Sequence, residues 1–100
     1  MAALTVRDLV ERVLAGHAAL AAVGEGVADE WQYVADLGAV WSARLRDVAA
    51  TRGTESVSST TAAAVHRLVA ETQAIDDPHR AIDWLSTLPA AALLALGEAP

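Results

Sequence analysis

Residues 27–48 have the sequence VADEWQYVADLGAVWSARLRDV, and the spacing of the apolar residues in it predicts the fold. Positions separated alternately by four and three residues lie along one face of an α-helix. We call this face the tryptophan stripe, and it consists of Val27, Trp31, Val34, Gly38, Trp41, Leu45 and Val48. Such a stripe can pack in the core of its own chain, form an interface with a second copy, or line a ligand pocket. Trp31, Val34, Gly38, Trp41 and Leu45 are the candidate interface residues.

The flanking sequence predicts further helices and no strand. Thr5 and Asp8 have the spacing of a capping box, which predicts a first helix over residues 6–22. The Gly24-Glu25-Gly26 segment predicts a turn, and the tryptophan stripe belongs to a second long helix over residues 28–50.

The second half of the chain predicts shorter helices. A loop is expected at residues 51–60, followed by a helix over residues 61–74. Asp77 as N-cap and Pro78 as first helical residue predict another helix over residues 78–85. Thr87-Leu88-Pro89 resembles that start and predicts a short last helix ending at Gly97. The predicted fold is all-α, a single domain of four to five helices in which a hairpin of two long helices precedes the shorter ones.

Composition favours a protein that associates with another protein. Hydrophobic residues make up 54% of the 100-residue chain, but many of them are alanine, so the core is expected to be thin. Leu88, Leu93, Leu94 and Leu96 are apolar residues that one helical hairpin can hardly cover. These features predict a homodimer at micromolar concentration.

Charge and residue usage exclude several function classes. The net charge of −6 disfavours binding to nucleic acid. The sequence contains no lysine and no cysteine, so it offers no Schiff-base amine and no thiolate. It also has neither a signal peptide nor an apolar run long enough for a bilayer, which predicts a cytoplasmic protein without membrane association.

Two places could hold a ligand or a metal ion. His17 lies on the apolar face of the first helix, where a structural histidine is favoured over a ligand. Asp76, His79 and Asp83 form the densest polar cluster, with Asp77 between them, and capping by Asp77 explains it without a metal. His66 on the third helix and Arg12 on the first are assigned to solvated faces.

The resulting functional hypothesis is a non-catalytic helical interaction or regulatory module that self-associates, with no cofactor. One alternative is a small-molecule or metal-binding protein that uses His17 or the Asp76–Asp83 cluster. Another is an acidic, antitoxin-like or inhibitor protein that masks a basic partner.

Gly38 interrupts a stripe of large side chains, and glycine inside a helix costs about 1 kcal/mol relative to alanine. We therefore expect a neighbouring helix to cross there. The space beside Gly38 is expected to receive an indole from a facing chain or an aliphatic side chain from the first helix.

Overall fold

The computed structural model describes residues 4–24 and 31–98, without the side chains of Trp31 and Val34. This part of the chain forms four α-helices: α1 (Val6–Gly24), α2 (Trp31–Arg52), α3 (Ser59–Gln73) and α4 (Pro78–Ala95). The prediction of an all-α bundle is confirmed. The predicted turn at Gly24-Glu25-Gly26 lies outside the described residues after Gly24, which is the last residue of α1.

Helices α1 and α4 form the centre of the bundle. Each contacts all three other helices, whereas α2 and α3 do not contact each other anywhere in the described ranges. Helix α2 therefore lies on one side of the α1–α4 pair and α3 on the other. The fully buried side chains of the core come from all four helices and include Leu9, Val13, Leu20, Leu45, Val65, Leu85, Leu88 and Leu93.

The start of α1 is fixed by two sets of hydrogen bonds. The Thr5 backbone N–H donates to Asp8 Oδ2 (3.0 Å) and the Asp8 N–H donates to Thr5 Oγ1 (3.3 Å), which confirms the predicted capping box. These bonds from Thr5 lower the pKa of Asp8. The N–H groups of Val6 and Arg7 donate to the carbonyl oxygens of Glu55 (3.0 Å) and Gly53 (3.2 Å). The loop between α2 and α3 thus binds the free N–H groups at the start of α1.

The C-terminal ends of α2 and α4 are joined through Arg52. Its Nη1 donates to Glu98 Oε1 (2.7 Å) and to the Leu96 carbonyl oxygen (3.0 Å), and its Nε donates to Glu55 Oε2 (3.1 Å). The hydrogen bonds to Glu55 and Glu98 raise the pKa of Arg52. This contact fixes α2 and α4 side by side, pointing in the same direction.

The prediction of two short helices after residue 77 is wrong, because α4 continues through Pro89. A proline inside a helix removes the hydrogen bond from its own nitrogen to the carbonyl four residues earlier. Here the apolar face is continuous across Pro89, since Leu85, Leu88 and Ala92 are fully buried. Burial of this face stabilises the helix on both sides of the proline.

One premise for the predicted dimer is also wrong. Leu88, Leu93 and Leu96 are buried in the core of the same chain, and only Leu94 of that group is exposed, with 61% of its surface accessible. The four-helix bundle therefore covers three of the four leucines that a single helical hairpin was expected to leave exposed.

Candidate functional site

Helices α1, α2 and α4 meet at Gly38. A Cβ atom at this position would lie 2.5 Å from the Leu85 carbonyl oxygen and 2.7 Å from His17 Nε2. The expectation of a helix crossing at Gly38 holds, and the crossing helix is α4 of the same chain. The expected aliphatic side chain of α1 does not occupy this point: among the described residues, the nearest atoms are those of the Leu85 carbonyl and the His17 ring.

Pro89 explains why a carbonyl lies at this point. In a regular α-helix the Leu85 carbonyl would accept from the N–H of residue 89, but proline has no N–H. The Leu85 oxygen is therefore left without its helical donor, and it faces α2 where Gly38 has no side chain. Gly38 and Pro89, 51 positions apart in the sequence, together create one polar point inside the bundle.

His17 contributes the third polar group of this junction. Its Nε2 is buried and forms no hydrogen bond of acceptable geometry with the described residues. Burial lowers the pKa of His17, the nearby Leu85 carbonyl opposes that effect, and the charge of Arg46 adds to it. Burial at the junction therefore favours the neutral form of His17.

We expect the stability of the protein to fall in mild acid because of His17. The pKa of His17 is lowered in the folded protein, so its imidazole is mainly neutral in both the folded and the unfolded protein above the ordinary histidine pKa of about 6.5. Below that pH the unfolded chain takes up a proton that the folded chain resists, and the free energy of unfolding decreases as the pH falls. Urea unfolding between pH 8 and pH 5 measures this slope.

The variant His17→Gln should have a flatter pH profile over the same range, since glutamine does not titrate. His79→Gln changes the same residue type at an exposed position outside the junction and is the matched control. Equal slopes in the two variants would contradict the role assigned to His17.

Part of the tryptophan stripe packs inside the protein's own chain. Leu45 is fully buried in the protein's own core, Gly38 is buried against α4, and Trp41 is half-buried and packs against the core. The side chains of Trp31 and Val34 are outside the described residues. Gly38 and Leu45 thus belong to the interior of the single chain, and the prediction that the stripe forms an interface stays a prediction.

The Asp76–Asp83 cluster is the start of α4. Asp77 Oδ1 accepts a hydrogen bond from the His79 N–H at 3.0 Å, and Asp76, His79 and Asp83 are exposed. Within the described ranges no group of three or more histidine, aspartate or glutamate side chains is arranged to hold a metal ion. The predicted N-cap is confirmed, and it accounts for the position of Asp77.

Replacing Asp77 with alanine should lower the free energy of unfolding by about 0.5–2 kcal/mol, because the His79 N–H loses its acceptor. Asp77→Asn retains an acceptor of the same length and should restore most of the stability. His79→Ala removes only an exposed side chain and keeps the backbone donor, so its effect should be small. Thermal unfolding measures all three, and a larger loss in His79→Ala than in Asp77→Ala would contradict the cap assignment.

Helix α2 also has an exposed apolar face that the sequence did not predict. Tyr33, Leu37 and Val40 have 71%, 37% and 57% of their surface accessible, and their spacing of four and three residues places them side by side. The same spacing continues to Arg44. We call Tyr33, Leu37 and Val40 the outer face of α2, because all three are exposed.

The comparisons with known proteins give no family and no relative. No family model, no curated protein and no solved structure matches this chain. None of the helices in the described ranges is long and apolar enough to span a membrane. A functional conclusion must therefore be drawn from the surfaces of the bundle.

Proposed function

We propose that this protein is a non-catalytic interaction module that self-associates through the outer face of α2. The observation that carries the proposal is the exposure of Tyr33, Leu37 and Val40 along one helix. Single exposed apolar side chains are common on proteins, but a row of three adjacent ones is typical of a contact surface. The core of the bundle does not depend on these residues, because α2 packs through a neighbouring face that includes Gly38 and Leu45.

The pattern of this face favours a second copy as its partner. Tyr33, Leu37, Val40 and Arg44 have the alternating spacing of a coiled-coil seam. If two copies of α2 pair in antiparallel orientation, Leu37 of each copy packs against Val40 of the other. Tyr33 of each copy then lies over the guanidinium of Arg44 of the other, which is a favourable cation–π arrangement. Each contact is therefore formed twice in the dimer, once on each side of its twofold axis.

Arg44 is available for this role. It is half-buried, and among the described residues it takes part in no ion pair. Asp36, which lies beside the outer face, accepts a hydrogen bond from Gln32 Nε2 at 2.9 Å on the same helix. The guanidinium of Arg44 is therefore free to contact the aromatic ring of a second copy.

A dilution series tests the proposal. The contact contains few side chains from each copy, so we expect reversible association instead of a permanent dimer. Sedimentation equilibrium should give a mass that rises from near 10.4 kDa towards twice that value between about 1 µM and about 1 mM protein. A mass near 10.4 kDa across the whole range would rule the proposal out.

A further inference from the structure

A groove lies between α1 and α3, on the side of the bundle away from α2. It has a volume of about 440 Å³, with Arg12 and His66 among its lining residues. Arg12 is beside His66 and Gly16 is beside Thr72, so the two helices run in the same direction along the groove. From Arg12 to Ala19 and from His66 to Gln73 the helices advance by seven residue steps, which corresponds to a length of about 10 Å.

One end of the groove carries a cation. Arg12 Nη1 and His66 Nε2 are 2.6 Å apart and share a hydrogen bond across the two helices. Asp8 lies four residues before Arg12 on α1, and the charge of Arg12 contributes to lowering the Asp8 pKa, but the Asp8 carboxylate accepts the Thr5 N–H of the capping box. No carboxylate in the described ranges is within ion-pair distance of Arg12. The remaining guanidinium donors of Arg12 are therefore available to an added anion.

The wall of the groove is apolar. Apart from Gln73 at the end away from Arg12, the rest of its lining consists of small or aliphatic residues of α1 and α3, among them Ala15, Ala19, Val69 and Ala70. Thr72 adds a methyl group, because its hydroxyl donates to the Leu68 carbonyl oxygen at 2.8 Å and its Cγ2 faces Gly16. A chain of methylene groups fits such a wall better than a polar ligand does.

We infer that this groove binds a small carboxylate with an apolar tail of about 10 Å, with the carboxylate on Arg12 and the tail along the alanine-rich wall. Charge complementarity selects the carboxylate, since Arg12 is a cation without an ion-pair partner in the described part of an otherwise acidic chain. The length of the groove and its apolar lining favour a ligand with an unbranched tail. This site is independent of the proposed self-association, because α2 and α3 are on opposite sides of the α1–α4 pair.

Titration with octanoate, followed by amide chemical shifts, tests the inference. Octanoate should shift the amides of Ala15, Ala19 and Ala70 and saturate with a dissociation constant of about 1 mM or less. Octan-1-ol has the same tail without the charge and should bind about tenfold more weakly. Acetate has the charge without the tail and should give no saturable shift.

Two pairs of variants distinguish octanoate binding in the groove from nonspecific binding to the protein surface. Arg12→Gln should weaken octanoate binding about tenfold, whereas Arg67→Gln changes another exposed arginine outside the groove and should leave it unchanged. Ala70→Phe fills the groove and should abolish binding, whereas Ala63→Phe places the same ring at an exposed alanine elsewhere on α3. Circular dichroism confirms that each variant is folded.

Octanoate shifts that do not saturate, or affinities that are equal in the wild type, Arg12→Gln and Ala70→Phe, would overturn the inference. A chain that binds octanoate in this way while remaining a monomer at all concentrations would support the groove and contradict only the self-association through α2.

Discussion

Replacing Gly38 with alanine is expected to lower the free energy of unfolding by about 1–3 kcal/mol. Helix propensity alone predicts the opposite, a gain of about 1 kcal/mol. The new Cβ would lie 2.5 Å from the Leu85 carbonyl oxygen and 2.7 Å from His17 Nε2. Since the oxygen belongs to the backbone of α4, it cannot turn away as a flexible side chain could. The helices must separate, and separation weakens the core on both sides of the junction.

Gly16→Ala is the matched control, because Gly16 is also a buried glycine inside a helix. A Cβ there would be 3.6 Å from Leu88 Cδ2 and 3.7 Å from Thr72 Cγ2, which is ordinary contact. Gly16→Ala should therefore raise the free energy of unfolding by about 0.5–1 kcal/mol. Gly38→Leu should be more harmful than Gly38→Ala. If chemical denaturation shows that both alanine variants are stabilised equally, the close crossing at Gly38 is not present.

The local signals in the sequence predicted much of the fold. The capping box of Thr5 and Asp8 and the pair Asp77-Pro78 each depend on residues within three positions, and both begin helices where predicted. These signals work because a helix start needs acceptors for N–H groups that have no partner in the first turn.

The junction at Gly38 could be predicted only in part. A glycine within an apolar stripe indicated a close approach, since its cost to the helix needs compensation. The identity of the approaching groups depends on tertiary packing, because Leu85 and His17 come from two other helices. Pro89 was interpreted as the start of a helix, whereas in the bundle it frees the Leu85 carbonyl inside one. No local pattern distinguishes these two roles of a proline.

The outer face of α2 was not predicted, because the longer apolar pattern of the tryptophan stripe lies beside it. Tyr33, Leu37 and Val40 repeat at the same spacing as the tryptophan stripe, but they lie on a neighbouring face of the same helix. Periodicity assigns residues to faces and does not say which face packs inward. The approach of α4 at Gly38 determines which face of α2 packs inward, and Tyr33 and Val40 remain exposed.

Val40→Glu is expected to abolish self-association, weakening the dimer by about 100-fold or more. In an antiparallel pair the substitution occurs on both copies, so each dimer loses two apolar contacts with Leu37. The new carboxylate on each copy would also be desolvated in the contact, and it lies four residues before Arg44, so it would compete with Tyr33 of the other copy for that guanidinium. Each 1.4 kcal/mol lost weakens binding about tenfold. Because Val40 is largely exposed in the single chain, the thermal unfolding of dilute Val40→Glu should match that of the wild type.

Ala39→Glu provides the control for charge. Ala39 is the neighbour of Val40 on α2 and is exposed, but a helix turns by about 100° per residue, so its side chain points away from the outer face. Both variants have the same net charge, and general electrostatic repulsion would therefore weaken association equally in both. We expect sedimentation equilibrium to give a monomer for Val40→Glu and the wild-type association for Ala39→Glu. Equal behaviour of the two variants would show that copies of this chain associate through another surface, or through charge alone, and not through Tyr33, Leu37 and Val40.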